Sequence, residues 1–439
     1  MTRTQGEAVA ILPVLLGMAV VVVVANRWGQ ALLDDGVELR IFAPPLIGRF
    51  RLGPPGGLVP LVPALAVGAL LVLRLPRLCR ELAWSRVLIL SAAAAAAFAV
   101  SVALIDGASG LTRPMELPGH YLQDVGLVDG PGELLRTFTD RINDYGTHIR
   151  SHPPGLLLLL WGMAQVGLGG SGWAATLVIL GGALAVPAVA VITRELAGES
   201  AARGALPFLV LAPVVVYVAS TADALFAGVG AWALAAFVVA TGRHDRRGDG
   251  LALAGGALFG LTVLLSYGSV LIGLLPLAVA AGRRRARPLV LMVVGGAVVL
   301  ALAAGAGFWW LDGLLTTRGE YLDSVASVRP YGYFLLANLA GLALLLGPAT
   351  VAGLGRFLAR PTRHLLALVL GPALAMVAIA DLSGMSKGEV ERIWLPFAVF
   401  LLPAGALVAD DSDAVGRRRW LGLQVAATVA IPLAVRTNW

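Results

Sequence analysis

Long apolar runs, each followed by a short polar or basic connection, repeat along almost the whole chain. About 20 apolar residues are needed for a helix to cross the ~30 Å hydrocarbon core of a bilayer. The pattern therefore predicts an all-α polytopic membrane protein with about thirteen transmembrane helices. The predicted spans are 8–25, 57–75, 86–105, 173–193, 204–220, 223–241, 250–266, 268–282, 288–311, 331–347, 364–381, 392–408 and 420–436.

One further apolar segment, residues 154–169, is predicted to lie along the membrane or re-enter it. It is only about 16 residues long and starts within a Pro-Pro pair, so it falls short of a typical span. If it crossed, the basic loop at 242–249 would lie on the outer side. The alternative is that 154–169 is a short ordinary span and that another predicted span is wrong.

Arginines concentrate in a few short connections, which the positive-inside rule places in the cytoplasm. The N-terminus is then inside and the C-terminus outside. The basic connections contain Arg74, Arg77, Arg80 and Arg86; Arg243, Arg246 and Arg247; Arg283, Arg284, Arg285 and Arg287; Arg356, Arg360 and Arg363; and Arg417, Arg418 and Arg419.

Composition supports the membrane class: 58% of residues are hydrophobic and 13% charged, against roughly 25% charged in soluble domains. The net charge of +7 is not a nucleic-acid signal, because most of the excess arginine lies in these connections. The single cysteine, Cys79, excludes an intramolecular disulfide and a multi-cysteine metal site. The first apolar run resembles a signal peptide but lacks a clear cleavage site, and is predicted to be a retained span.

The long polar segment 106–172 is predicted to be the large outer loop. Its stretch from Asp106 to Pro153 holds seven carboxylates, four arginines and three of the five histidines. Polar groups gathered beside a bilayer mark a candidate functional site. Asp106, Asp223 and the Glu391–Arg392 pair also have simpler explanations. Asp106 can end a helix, and Asp223 can cap one after Ser220 and Thr221. Glu391–Arg392 can be an interfacial pair.

The layout resembles the GT-C superfamily of polytopic glycosyltransferases, which includes protein O-mannosyltransferases, the lipid A aminoarabinose transferase and actinobacterial envelope glycosyltransferases. The resemblance rests on Asp106 directly after an apolar helix, on the outer loop, and on His152-Pro153-Pro154 within Thr147–Gly155. The segment 154–169 matches an interfacial helix of the family, and the loop 194–203 leading to Asp223 also looks similar. The chain departs from the family in two extra N-terminal helices and in lacking a larger soluble C-terminal domain.

The resemblance implies a division into two extra helices at 1–85, a catalytic transmembrane core at 86–410 and a C-terminal helix at 411–439. It implies an inverting glycosyltransferase in the plasma membrane, acting on the extracytoplasmic side. The donor would be a polyprenyl-phosphate mannose or pentose, and the acceptor an envelope glycan, a lipoglycan or a protein. No cofactor is implied, and a divalent cation is the less favoured alternative.

The resemblance and the residue chemistry together give the candidate site residues. Asp106 is the predicted general base, which a positioned carboxylate can be, and Glu116 is the second candidate. Arg329 and Arg392 are predicted near the lipid phosphate, since arginine matches phosphate with a bidentate fork. The predicted substrate contacts are Tyr121, Asp124, His148, Arg150, His152, Asp223, Tyr267, Arg329, Glu391 and Arg392.

Two alternatives are weighed against this hypothesis. His148 and His152 have the i, i+4 spacing of zinc ligands on a helix, but Pro153 disfavours a helix up to His152, so no metal site is predicted. A transporter or flippase for a lipid-linked sugar is the rival function. It would favour charges buried in mid-span and internal symmetry, whereas the charges here lie at span ends.

Overall fold

The computed structural model describes residues 10–54, 57–219, 221–359, 366–409 and 413–437. Within them the chain is almost entirely helical, which confirms the all-α membrane fold. The predicted capping residue Ser220 and the basic-loop residues Arg360 and Arg363 lie outside the described residues. Helices are numbered in chain order: α1 (Ile11–Asp34), α2 (Leu61–Glu81) and α3 (Trp84–Ala103) precede the outer loop.

The outer loop contains only short helices, joined by turns. They are α4 (Arg113–Glu116), α5 (Pro131–Thr137), α6 (Thr147–Arg150) and α7 (Gly155–Gln165). At 1.5 Å per residue, the 11 residues of α7 cover roughly 16 Å, about half of a bilayer core. This length agrees with the prediction that 154–169 does not cross.

The remaining helices form the core of the bundle and its second outer segment. They are α8 (Ser171–Ala197), α9 (Glu199–Leu211), α10 (Asp223–Thr241), α11 (Arg246–Leu265), α12 (Leu274–Arg283), α13 (Ala286–Gly305), α14 (Trp310–Leu322), α15 (Val325–Val328), α16 (Tyr331–Ala359), α17 (Ala367–Leu382), α18 (Val390–Ile393), α19 (Leu395–Ala398) and α20 (Ala414–Ala434).

Eight described helices are long and apolar enough to cross a membrane: α1, α2, α3 with its final turn, α8, α10, α11, α13 and α16. The predicted count of thirteen is therefore not confirmed. Three predicted spans are interrupted by 3₁₀ turns, at Pro213–Tyr217, Tyr267–Gly273 and Leu402–Val408. The predicted span 364–381 corresponds to the shorter α17, and 420–436 to α20, which begins with three arginines.

Close packing of α8 against α10 positions the first residue of α10, Asp223. A side chain at Gly228 would lie 2.1 Å from the carbonyl oxygen of Gly181. Only small residues permit helices to approach so closely, a common arrangement in membrane bundles. The contact fixes α10 in the centre of the fold, where its residues are mostly buried.

The basic connections meet at one end of the bundle. Arg203 donates to the carbonyls of Cys79 and Leu82, and its guanidinium and that of Arg194 lie over the Trp84 ring. In the same region Arg283 donates to the Glu195 carbonyl, and Arg285 to that of Arg243. The outer loop and its candidate residues lie at the opposite end, as the charge pattern predicts.

The segment after α1 meets the end of α20 beside the outer loop. Strand β1 (Arg49–Phe50) pairs antiparallel with β2 (Val435–Arg436), so that Arg49 lies opposite Arg436. The segment that precedes β1 packs on α16, where Leu39 and Ile41 are buried with Tyr333. The N-terminal helices are thus joined to the same end of the molecule as the candidate site.

Candidate active site at the outer end of the bundle

Asp106 ends the turn that follows α3, and Gly107, with φ of +79°, ends the helical path there. The Asp106 side chain remains 40% exposed. Its Oδ1 lies 2.5 Å from Nη1 of Arg51. The predicted general base is therefore accessible and held by an ion pair.

Arg51 is held in place by hydrogen bonds to the end of α20. Its guanidinium donates to the carbonyl of Pro432, and its backbone N–H donates to Ala434. The Arg51 side chain is only 13% exposed. The ion pair is thus part of the folded frame and does not depend on a mobile surface side chain.

A cleft of about 690 Å³ opens beside Asp106. Its walls come from the end of α3, from α4 and the turns around it, from the Val216–Ala219 region and from the end of α20 with β2. Val102 and Ile431 give an apolar side, and Arg113 and Arg436 give a basic side. The cleft can therefore receive a molecule with both apolar and anionic parts.

A buried polar centre forms where the start of α10 meets the segment around Arg392. Arg392, at the start of a broken helical segment, donates from Nη1 to Oδ2 of Asp223 at 3.1 Å and from Nη2 to Oε2 of Glu389 at 2.5 Å. The Arg392 and Asp223 side chains are 9% and 3% exposed. Buried charges of this kind persist only when they are paired, so the three residues form one unit.

Aromatic and imidazole rings from the outer loop cover this ion-pair network. The ring centroids of His120 and His148 are 4.1 Å apart, and Tyr121 lies 5.3 Å from His148 and 6.0 Å from His152. His152 also contacts Phe226 of α10 at 5.4 Å. The structure therefore brings together Tyr121, His148 and His152 with Asp223 and Arg392.

The histidines of the centre are neutral near pH 7. Burial, with the charge of Arg392, lowers the pKa of His120 to about 4 and of His152 to about 3. The same causes lower the pKa of His148 well below its usual value. Within the described part of the chain, His152 Nδ1 and the Tyr121 hydroxyl are buried without a hydrogen-bond partner. These atoms are suited to hydroxyl groups of a neutral ligand.

The His-Pro-Pro motif forms a turn, as predicted. Helix α6 ends at Arg150, and His152 then donates its backbone N–H to Ile149. Because the residue before a proline avoids the helical region, His148 and His152 do not share a continuous helix. Among the described residues no three His, Cys, Asp or Glu side chains are placed to hold a metal ion.

Two predicted contact residues instead hold the outer loop together. Asp124 accepts from the backbone N–H of Gly146 at 2.8 Å, and burial raises the pKa of its carboxyl. Arg150 forms an ion pair with Glu320 of α14 at 3.2 Å, and its carbonyl accepts from Thr317. Both residues support the position of the His-containing turn.

The other predicted residues make separate contacts. Tyr267 packs on Trp310 with ring centroids 5.5 Å apart, while Glu116 is exposed on α4. Arg329 donates to the Lys387 carbonyl at 2.5 Å, and its Nε is buried without a partner in the described part. Glu391 accepts from the backbone N–H of Ile47 at 3.1 Å, so it anchors the N-terminal segment.

An apolar cavity of about 440 Å³ lies in the bundle on the other side of the Pro213–Tyr217 turn. Its lining includes Gly182, Val186, Leu209, Val218 and Leu395. Val218 and Leu395 are close in sequence to Asp223 and Arg392. An apolar space therefore adjoins the polar centre.

Several residues of the site were not predicted from the sequence. Glu389 lies three positions before Arg392, a spacing that could have indicated their ion pair. Glu389 also has a φ of +63°. Such a conformation is uncommon for a non-glycine residue and often occurs at functional sites. Arg51 gives no such local signal, because 55 residues separate it from Asp106. His120 appeared among the clustered histidines but not among the predicted contacts.

No protein-family model and no curated protein matches the chain. Solved structures do match: ArnT from Cupriavidus metallidurans in the apo state, at 19% identity and a TM-score of 0.39, covers 63% of this chain and 55% of its own. The oligosaccharyltransferase AglB from Archaeoglobus fulgidus, in complex with an inhibitory peptide and a dolichol-phosphate, has 16% identity and a TM-score of 0.37, covering 71% and 50%.

A second Archaeoglobus fulgidus oligosaccharyltransferase structure, with Zn and sulfate, has 16% identity and a TM-score of 0.39, covering 76% and 52%. The chain spans about half the length of the solved structures it matches.

Proposed function

We propose that this chain is a membrane glycosyltransferase that moves a sugar from a polyprenyl-phosphate donor to an acceptor hydroxyl. The observation that supports the proposal is the placement of Asp106, a carboxylate that is 40% exposed at the end of a span and lines an open cleft. A transfer between two substrates needs an accessible base and a site that orients the reacting sugar. Asp106 is the proposed base, and the buried polar centre is the proposed sugar site.

In the proposed reaction, the acceptor hydroxyl oxygen attacks the anomeric carbon of the donor sugar. The bond between that carbon and the phosphate oxygen breaks, and polyprenyl phosphate leaves with the electron pair. Asp106 takes the acceptor proton. The new bond forms on the opposite face of the sugar, so the configuration inverts.

The buried centre is proposed to hold the donor sugar. Tyr121 and His152 offer polar atoms that lack partners in the described part of the chain, and sugar hydroxyls can satisfy them. Because buried polar groups without partners are costly, a bound sugar would stabilise this arrangement. Asp223 and Arg392 would then hold the Tyr121 and His152 rings in place, without contacting the phosphate of the donor.

Arg329 is the proposed contact for the leaving phosphate. Its charge is buried, and burial lowers the pKa of its guanidinium. Its Nε, which has no hydrogen-bond partner among the described residues, can donate a charge-assisted hydrogen bond to a phosphate oxygen. Arg392, by contrast, is already paired with two carboxylates. The apolar cavity at Gly182 and Leu209 is the proposed place for the start of the prenyl chain.

We also propose the sugar, the acceptor and the side of the membrane. The donor sugar is mannose or a pentose, and the acceptor is an envelope glycan, a lipoglycan or a protein. The basic end of the bundle faces the cytoplasm by the positive-inside rule, which puts the site on the extracytoplasmic side of the plasma membrane.

The test is transfer from radiolabelled polyprenyl-phosphate mannose or pentose to envelope extracts by purified protein. Wild type is compared with Asp106→Asn and with Asp129→Asn, which changes an exposed carboxylate of the same loop. We expect transfer by wild type and Asp129→Asn, and a loss of at least about a hundredfold in Asp106→Asn, the size of a general-base contribution. Equal transfer by all three would remove Asp106 from the mechanism and favour Glu116.

The rival function is a flippase for a lipid-linked sugar. It predicts no product with any donor, together with movement of a labelled lipid-linked sugar across vesicles that contain the protein. That pair of results would replace the glycosyltransferase proposal.

A further inference from the structure

The cleft beside Asp106 carries more positive charge than its surroundings compensate. Arg51, Arg113 and Arg436 lie at or in it, and Asp106 is the carboxylate of its lining. The charge of Arg51 is balanced by Asp106. Arg113 and Arg436 have exposed side chains, and neither forms an ion pair with any of the residues that the structure describes.

The pairing of β1 with β2 places a further cation, Arg49, beside this cleft. In the register of β1 and β2, Arg49 lies directly opposite Arg436. Like charges opposite each other in an antiparallel pair are destabilising. An anion bound at Arg436 would offset this repulsion.

The buried centre does not compete for the same anion. Arg392 is paired with Asp223 and Glu389, so its charge is already compensated. Arg113 and Arg436, which form no ion pair with the described residues, are therefore the cations of the cleft that can meet an anion, on the side where Asp106 would meet the acceptor.

The cleft also has an apolar wall. Val102, Ala103, Ile431 and Pro432 face it from the ends of α3 and α20, close to where these helices leave the bundle. A purely water-soluble anion would not use this surface. A ligand with an acidic headgroup and an apolar portion would use both walls.

We propose that the cleft binds the acidic headgroup of an amphiphilic acceptor, with Arg113 and Arg436 as the anchors of a phosphate group. In calling the ligand the acceptor, the proposal rests on the proposed glycosyltransferase function; the anion site itself does not. The phosphate group would hold the acceptor so that a neighbouring hydroxyl lies beside Asp106. A phosphate of a bulk membrane lipid offers the same chemistry, and the experiment separates the two sources.

The first measurement is equilibrium binding of short-chain phosphatidic acid to purified protein in a neutral detergent. Phosphatidylcholine with the same chains and inorganic phosphate serve as comparison ligands. The variants are Arg113→Gln, Arg436→Gln and the double variant. The matched control is Arg318→Gln with Arg247→Gln, two exposed arginines outside the cleft, so that both double variants lose two charges.

We expect phosphatidic acid to bind wild type and the control alike, and each cleft substitution to weaken binding about tenfold, the equivalent of ~1.4 kcal/mol. Added salt should also weaken it. The proposal is overturned if phosphatidylcholine binds as tightly as phosphatidic acid, or if the Arg113–Arg436 double variant keeps wild-type affinity. Inorganic phosphate that binds as tightly as phosphatidic acid would overturn the amphiphilic part.

The second measurement identifies the source of the phosphate. If the cleft holds the acceptor, phosphatidic acid inhibits sugar transfer competitively with the acceptor, and Arg113→Gln and Arg436→Gln raise the acceptor KM with little change in kcat. Binding without inhibition would assign the cleft to bulk lipid and overturn the acceptor role. Failure of the glycosyltransferase proposal is recognised separately, as absence of transfer by wild type while binding still depends on the two arginines.

Discussion

Arg51 forms an ion pair with Asp106 across 55 residues of sequence, with Nη1 and Oδ1 2.5 Å apart. The pair connects the segment after the first helix to the carboxylate at the end of the third. Because Arg51 is also bound to the Pro432 carbonyl, the segment after α1 and the end of α20 converge on the candidate base. The connection between the two N-terminal helices therefore contacts Asp106.

Replacing Arg51 by Met should lower kcat/KM for sugar transfer about tenfold, because Asp106 loses the group that orients it; tenfold corresponds to ~1.4 kcal/mol of transition-state stabilisation. The kcat/KM of Arg51→Lys should lie between those of wild type and Arg51→Met, because lysine cannot donate to Asp106 and Pro432 with the same planar fork. The control is Arg27→Met, which changes an exposed arginine of α1. Wild-type kcat/KM in Arg51→Met, with the fold intact, would contradict the orienting role.

Replacing Arg392 by Met should lower the free energy of unfolding by about 3–5 kcal/mol, because Asp223 would remain buried without its partner. The double variant Asp223→Asn with Arg392→Met should recover part of this loss. Arg141→Met is the control, since Arg141 forms an exposed ion pair with Asp144 of little energetic value. Denaturant unfolding in detergent measures wild type, Asp223→Asn, Arg392→Met, their double variant and Arg141→Met; additive effects of the two core substitutions would show that the pair is not coupled.

The buried histidines should make the protein less stable as pH falls. Unfolded histidines bind a proton near pH 6.5, whereas burial lowers the folded pKa of His120 to about 4 and of His152 to about 3. Below pH 6.5 the unfolded state therefore holds more protons, and stability falls by up to about 1.4 kcal/mol per pH unit for each histidine. Thermal unfolding of wild type and His120→Gln between pH 7 and pH 4 tests this; the variant should show a smaller slope, and an equal slope would count against it.

Glu391 should have the opposite pH dependence. Burial raises the pKa of its carboxyl to about 7 from 4.5, so the folded state holds a proton that the unfolded state has lost. Its contribution to stability is present below pH 4.5 and is lost as pH rises towards 7. Glu391→Gln keeps an oxygen for the Ile47 N–H and should remove this part of the profile between pH 4.5 and pH 7. A profile unchanged from wild type would exclude the protonated carboxyl.

The break in α16 depends on Gly347, which has φ of +74°. A Cβ there would lie 2.3 Å from Oε1 of Gln424 and 2.6 Å from Cδ of Pro213. Gly347→Ala should therefore lower the unfolding midpoint clearly, because both the backbone conformation and the packing oppose it. Gly355→Ala, in the same helix with no atom within 4 Å, should leave the midpoint unchanged or raise it slightly. Equal behaviour of the two variants would show that the break tolerates a side chain.

Much of the architecture could be predicted from composition and periodicity alone. Apolar runs long enough for a bilayer predict helices, and the helix predicted at 223–241 is present with those bounds. The arginine pattern separated the basic end from the end that carries Asp106, because charged loops remain at the membrane surface. Local steric rules gave the turn at His152, since Pro153 and Pro154 act on their neighbours in the chain.

Only the tertiary structure decided how distant residues meet and which spans remain continuous. Arg51 reaches Asp106, and Arg392 reaches Asp223, through packing between segments far apart in sequence. The segments predicted to span at 204–220 and 392–408 are interrupted, because buried polar residues and prolines within a packed bundle favour broken helices that hydropathy does not distinguish. Hydropathy reports the free energy of transferring a segment into lipid, whereas the site depends on contacts between segments.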